Sequence, residues 1–127
     1  MKYAFTIYGD EGRRISATPE QQQEMAQAYG VVTQEMHEKG VFVAGDGLYP
    51  TPTATTVRVR DGDRDVTDGP FAETKEQLGG FYVLDVKDLD EAIEWAAKIP
   101  GSQFGAVEIR PVMVYDEAGN LVEEATA

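Results

Sequence analysis

Hydrophobic period switches back and forth along this chain of 127 residues, between the two-residue period of a strand and the 3.6-residue period of a helix. Lys2 to Tyr8 alternate, with Tyr3, Phe5 and Ile7 on one face and Ala4, Thr6 and Tyr8 on the other, which predicts a strand closed by Gly9-Asp10-Glu11-Gly12. Thr18-Pro19-Glu20-Gln21 then reads as a capping box with proline at the first helical position. Met25, Ala28, Tyr29, Val32 and Met36 recur at three- and four-residue spacing up to Gly40, so a helix is expected over 19–39. Val41 to Ala44 predicts a second strand, leading into the turn Gly45-Asp46-Gly47. Thr55 to Arg60 and Arg64 to Thr67 predict a hairpin about Asp61-Gly62-Asp63. After a loop from Asp68 to Gln77, the unbroken apolar run within Gly79 to Val86 predicts a central strand buried on both faces. Asp88 and Glu91 form a second capping box, followed by the stripe Leu89, Ala92, Ile93, Ala96 and Ala97 and the stop Pro100-Gly101. Ala106 to Tyr115 predicts a last long strand.

The order β-α-β-β-β-α-β, with no internal linker, makes residues 1–127 one domain. Its core covers about 1–115, and 116–127 form an acidic extension that turns at Ala118-Gly119-Asn120. Two amphipathic helices and an antiparallel sheet form an α+β fold of the ferredoxin-like kind, with both helices on one face of the sheet. The other face is then bare. Covering it with a second copy of the chain is the economical solution, so a homodimer is expected.

Charge narrows the function classes. With 23 acidic against 11 basic residues the formal charge is −12. Such a chain repels phosphates, and no basic cluster reverses the sign locally, so neither nucleic acid nor an anionic membrane is an expected partner. The absence of cysteine excludes disulfides, thiolate nucleophiles, zinc ribbons and iron–sulfur ligation. No apolar run has the length of a spanning helix, and Met1-Lys2-Tyr3 is not followed by the apolar core of a secretory signal, so a cytoplasmic location is expected. Glycine-rich phosphate loops, serine nucleophile elbows, HExxH helices and aromatic-basic platforms are missing. Asp61, Asp63, Asp65 and Asp68 superficially match a calcium loop, but its sixth position is Val66 and its twelfth Ala72, so no metal is expected, nor any cofactor.

The sequence Thr67-Asp68-Gly69-Pro70-Phe71-Ala72-Glu73-Thr74-Lys75-Glu76-Gln77-Leu78-Gly79-Gly80-Phe81 reads physically as a rigid corner. Asp68 can accept from amides ahead of it, Gly69 permits an unusual backbone angle and Pro70 fixes the next. Phe71 is expected to pin the corner to the core, and Thr74 and Gln77 to cap a short helical turn. The same stretch closely resembles the signature of the DGPF branch of the YCII-related superfamily. The resemblance extends through Ala44-Gly45-Asp46-Gly47-Leu48, Ala54 to Arg58, Leu89 to Ala97 and Gly105 to Pro111. It implies a dimeric α+β barrel, in which two ferredoxin-like sheets pack face to face and enclose a cleft beside each protomer. In related proteins a histidine early in the first long helix has been proposed to act with an aspartate. Here that neighbourhood holds Ala28 and Tyr29, so catalysis would rest on a carboxylate or a tyrosine.

Asp68, Glu108 and Tyr82 are the catalytic candidates, because a carboxylate or phenol with a shifted pKa can move protons. Tyr8, Asp46, Phe71, Glu73, Lys75, Trp95 and Arg110 are the candidates for lining a ligand cleft. Glu108 and Arg110 share one face of a strand and also read as a structural ion pair. Trp95 also reads as packing. His37, the only histidine, lies off the helix stripe and reads as solvated.

Two functions remain open at this level. One is a dimer that binds a small organic molecule in the sheet cleft, as a cofactor-independent isomerase or lyase working by proton transfer. The other is a non-catalytic regulatory or protein-binding module, because DGPF-type proteins resemble chains encoded beside alternative sigma factors.

Overall fold

Strand β1, Lys2–Gly9, runs through the middle of the molecule with Tyr3, Phe5 and Ile7 buried beneath helices. The computed structural model describes residues 1–123, so the end of the acidic extension, 124–127, lies outside the described residues. A short helix α1, Glu11–Ser16, follows at once, capped by Asp10 accepting from the Gly12 N–H. From its sequence this segment is expected only to end the strand, since six residues are too few to show a period. Helix α2, Pro19–Glu38, starts at the expected capping box, with the Thr18 and Gln21 side chains each bonded to the other's backbone N–H. Only its C-terminal half is buried, through Val32 and Met36. Met25 and Ala28, also on the expected stripe, are exposed.

Strand β2, Phe42–Gly47, carries the chain straight through the residues expected to turn. A single turn of 3₁₀ helix at Thr51–Thr53 leads to the hairpin of β3, Thr55–Arg60, and β4, Asp63–Asp68. Asp61 at φ 53° and Gly62 at φ 79° make the two-residue loop, the left-handed pair that matches strand twist. Strand β5, Gln77–Asp85, helix α3, Leu89–Lys98, and strand β6, Ala106–Pro111, complete the core. The expected last strand breaks after Pro111. Val114–Tyr115 forms β7, which pairs with β8, Leu121–Glu123, in a small separate sheet. Its turn is where the sequence placed it. The Asn120 N–H donates to Asp116, holding that carboxyl below its usual range.

The main sheet has the order β2-β5-β1-β6, all antiparallel. With the β3-β4 hairpin set aside as an insertion, this is the ferredoxin-like arrangement. Helices α2 and α3 cover one face. Phe5, Met36, Leu84 and Ile99 are fully buried there, and each such side chain contributes roughly 1.5–3 kcal/mol.

Two packing expectations are corrected. Strand β5 is buried on one face only, through Gly80, Tyr82 and Leu84, while Phe81 and Val83 stay partly open. The apolar run was right for a central strand, but among the described residues no helix covers its second face. In α3 the buried positions are Ala92, Trp95 and Ala96, continued by Ile99, whereas Leu89 and Ile93 are 50% and 51% exposed. Positions 92, 95, 96 and 99 are themselves a three-and-four stripe, and Trp95 and Ile99 supply more apolar area than the alternative face.

Candidate functional site

Helix α2 places Tyr29 and Thr33 one turn apart, facing β5. Thr33 Oγ1 donates to the Tyr29 carbonyl at 2.7 Å and lies 2.7 Å from Tyr82 Oη. Because the threonine proton is committed to the carbonyl, the Tyr82 hydroxyl is the donor in that second bond. Tyr29 is placed differently. Its Oη accepts the Gly101 N–H at 3.1 Å, which leaves the phenolic proton free to be donated. Burial raises the Tyr29 pKa above its ordinary value of 10.0, and the neighbouring Tyr82 adds to the rise. The Gly101 N–H and the Arg14 guanidinium oppose it. Tyr29 is therefore a half-buried phenol that stays protonated at neutral pH.

Close backbone approach builds this corner. A Cβ on Gly101 would lie 2.7 Å from both Tyr29 Oη and Ile7 Cγ2, and one on Gly45 would lie 2.6 Å from the Tyr82 ring. Arg14, on α1, donates from Nη2 to the Leu48 carbonyl at 2.7 Å. The same helix is tied to the loops on either side. Glu11 accepts the Thr51 N–H at 3.0 Å and the Thr51 hydroxyl, and the Glu11 N–H donates to Gln77 Oε1 at 3.0 Å.

The residues singled out from sequence fall into separate places. Tyr82 is buried on the helix-covered face of the sheet, with its hydroxyl engaged by Thr33. Tyr8, Asp46, Glu108 and Arg110 lie on the open face, where Asp46, Phe81, Thr6 and Glu108 form one row across the four strands. Asp46 and Glu108 stand on opposite edge strands, roughly 14 Å apart, too far to act as a pair. Glu108 is instead bonded to Arg110, Oε1 to Nε at 2.7 Å, the ion pair that the strand spacing suggested.

Asp68 ends β4 in the separate β3-β4 sheet, and Glu108 and Tyr82 lie on opposite faces of the main sheet, so the three catalytic candidates do not form one cluster. Its corner is held by the Gly69 N–H donating to the Ala54 carbonyl at 2.7 Å and by Thr56 Oγ1 donating to the Gly69 carbonyl at 2.8 Å, with Gly69 at φ 99°. Phe71 is 76% exposed and does not pin the corner. Glu73 and Lys75 are exposed with it. No helical turn forms over 74–77, where the Thr74 hydroxyl bonds the Glu76 carbonyl and Gln77 Nε2 the Thr74 carbonyl. Asp63 and Asp65 lie opposite Arg60 and Arg58 in the hairpin, on the face away from Asp68.

Trp95 is 6% exposed and belongs to the core, its ring covered by Lys98 Nζ at 4.9 Å from the centroid. It forms the floor of a groove of about 250 Å³ between α2 and α3, which Glu35, Lys39, Glu91 and Glu94 also line. Of the residues expected to line a ligand cleft, only Trp95 borders this groove. The ion pair of Lys98 with Glu35 spans it at 2.5 Å. His37 is exposed as expected, its ring 4.1 Å from that of Phe42.

These features define a ferredoxin-like α+β domain with an open sheet face and a tyrosine-threonine-tyrosine corner beneath its first long helix. Comparison with known proteins refines that class. The chain belongs to the YCII-related domain family, whose model matches residues 1–116. It is also 37% identical over 117 residues to an uncharacterised protein of Rhizobium meliloti (strain 1021), an alignment covering 91% of this chain and 94% of that one. Arg14 and Thr33 carried no signal in the sequence. Tyr29 carried two, as a stripe residue and as the residue standing in the neighbourhood of the family's histidine. No helix among the described residues is long and apolar enough to cross a membrane.

Proposed function

We propose that this chain is a homodimer that binds a small organic molecule beside Tyr29 and donates the Tyr29 proton toward an oxygen on which negative charge develops. A cofactor-independent isomerase or lyase of the cytoplasm would use that chemistry. The observation that carries this reading is the bonding of Tyr29 Oη, which accepts from Gly101 and has its own proton unassigned. A phenol with a raised pKa is a poor base but a persistent donor, and a fixed donor in a half-buried site is what stabilises an oxyanion. Tyr82 supports the site without reacting, because its proton already goes to Thr33.

The reading places the ligand under α2 rather than on the open sheet face. That face carries Phe81 and Val83 at its centre and Asp46, Glu108 and Arg110 at its margins. An apolar centre with a charged rim is the composition of a contact between protein surfaces, and a second copy is its proposed partner. The test is a ligand-observed NMR screen of oxygen-bearing organic compounds. Saturable binding that weakens at least about tenfold in Tyr29→Phe is expected, the loss of a hydrogen bond worth about 1.4 kcal/mol. Binding that ignores this substitution would move the function elsewhere, toward a regulatory module that contacts proteins.

A further inference from the structure

We propose that the molecule bound beside Tyr29 carries a carboxylate, and that Arg14 holds it. The inference rests on the ligand site proposed above and adds the chemical class of the ligand. Acidic residues outnumber basic ones 23 to 11 in this chain, so an arginine meets a carboxylate readily. Ion pairs among the described residues engage the Met1 amino group, Lys87, Lys98 and Arg110, and Arg14 is in none of them. Its guanidinium is instead positioned by a backbone carbonyl, that of Leu48, with Nη2 as the donor. One bond of this kind anchors the group at Nη2 and leaves most of its five N–H donors for a second acceptor.

The surroundings fit an anion. Nη1 lies beside Gly79, 3.7 Å from where a Cβ would stand, and nothing lies within 4 Å of the equivalent point on Gly47. Side chains are thus withheld from the strand ends that Arg14 overlooks. The acids nearest in sequence are already engaged, Asp10 by the Gly12 N–H and Glu11 by Thr51. Arg14 and Tyr29 both border Ile7: the Cβ point of Gly79 is 3.7 Å from Arg14 Nη1 and 3.9 Å from the Ile7 carbonyl oxygen, and that of Gly101 is 2.7 Å from both Tyr29 Oη and Ile7 Cγ2, so one ligand is proposed to meet both groups. A carboxylate matches the fork of a guanidinium and carries a single charge, which one arginine balances in a chain at −12. A phosphate would need further cationic or N–H partners.

The experiment compares pyruvate, benzoate and succinate with their neutral amides, by titration of the ¹⁵N-labelled full chain followed at the Arg14 Nε–H and the Gly79 and Gly101 amides. At least one carboxylate should bind saturably and about tenfold or more tighter than its amide. Arg14→Gln should level the two, and Arg14→Lys, which keeps the charge and loses the fork, should fall between. Equal binding of acid and amide, a preference that survives Arg14→Gln, or no binding of any of these acids would overturn the assignment. Tyr29→Phe separates the two claims. Amides that bind in a Tyr29-dependent way would leave the tyrosine site standing without its carboxylate, whereas binding indifferent to Tyr29→Phe would remove the site itself.

Discussion

Tyr82 Oη lies 2.7 Å from Thr33 Oγ1, and that same oxygen donates to the carbonyl of Tyr29. The chain of bonds fixes the direction of every proton in it, so two tyrosines in one corner have opposite roles. The inner one is a structural donor to threonine, and the outer one accepts from the backbone and keeps its proton.

Tyr29 should ionise above the ordinary 10.0 of a phenol, a component of the alkaline difference absorbance that Tyr29→Phe should remove. In the unfolded chain the same phenol ionises at its ordinary pKa. The folded state therefore retains the proton at pH values where the unfolded state has lost it. The associated stability is complete below pH 10.0 and declines as pH rises through the folded pKa. Denaturant titrations across that range should show a shallower decline for Tyr29→Phe than for the unmodified chain.

Gly101→Ala puts a methyl group 2.7 Å from Tyr29 Oη and from Ile7 Cγ2. Both must move, at a cost of about 1–3 kcal/mol in urea unfolding. Displacing the hydroxyl also breaks the bond from the Gly101 N–H, the contact that holds the Tyr29 pKa down against burial. Gly105→Ala is the harsher control, because its methyl would fall 2.0 Å from the Tyr8 carbonyl oxygen, a backbone atom of a central strand.

Phe81→Asp tests the open face. The side chain points away from the core, so the monomer should keep its fold by circular dichroism. A carboxylate at the centre of an apolar contact between copies should weaken association by roughly 3 kcal/mol or more, over a hundredfold in Kd. Sedimentation velocity reads the change directly. A protomer that sediments alone both before and after substitution would refute the dimer.

Phe71→Ala should change stability by less than about 0.5 kcal/mol, because the ring is 76% exposed. A loss of several kcal/mol in urea unfolding would restore Phe71 as an anchor of the Gly69 corner.

The β-α-β order, the Thr18 capping box, the hairpin about Asp61-Gly62 and the Asp88 cap were all legible because each rests on neighbours in sequence. The burial of α3 was misread because Leu89 and Ile93 fit a helical stripe as well as Trp95 and Ile99 do, and only the sheet beneath decides which stripe faces inward. Phe71 was misjudged for a related reason. A large aromatic beside a rigid Gly-Pro corner usually packs, but this corner is closed by the backbone of Ala54 and by Thr56, leaving the ring unused. The candidate site was the least legible part. Tyr29, Thr33, Tyr82 and Arg14 come from three elements, and the bond that distinguishes Tyr29 from Tyr82 is made by the N–H of Gly101, a contact that no spacing encodes.

A crystallographic fragment screen tests the division of labour between the two sheet faces. Oxygen-bearing fragments should gather under α2, with an acceptor within hydrogen-bond distance of Tyr29 Oη and acidic ones reaching Arg14, while the open face is closed by a second copy. Fragments lying instead across the open face between Asp46 and Glu108, with the Tyr29 corner empty, would contradict it.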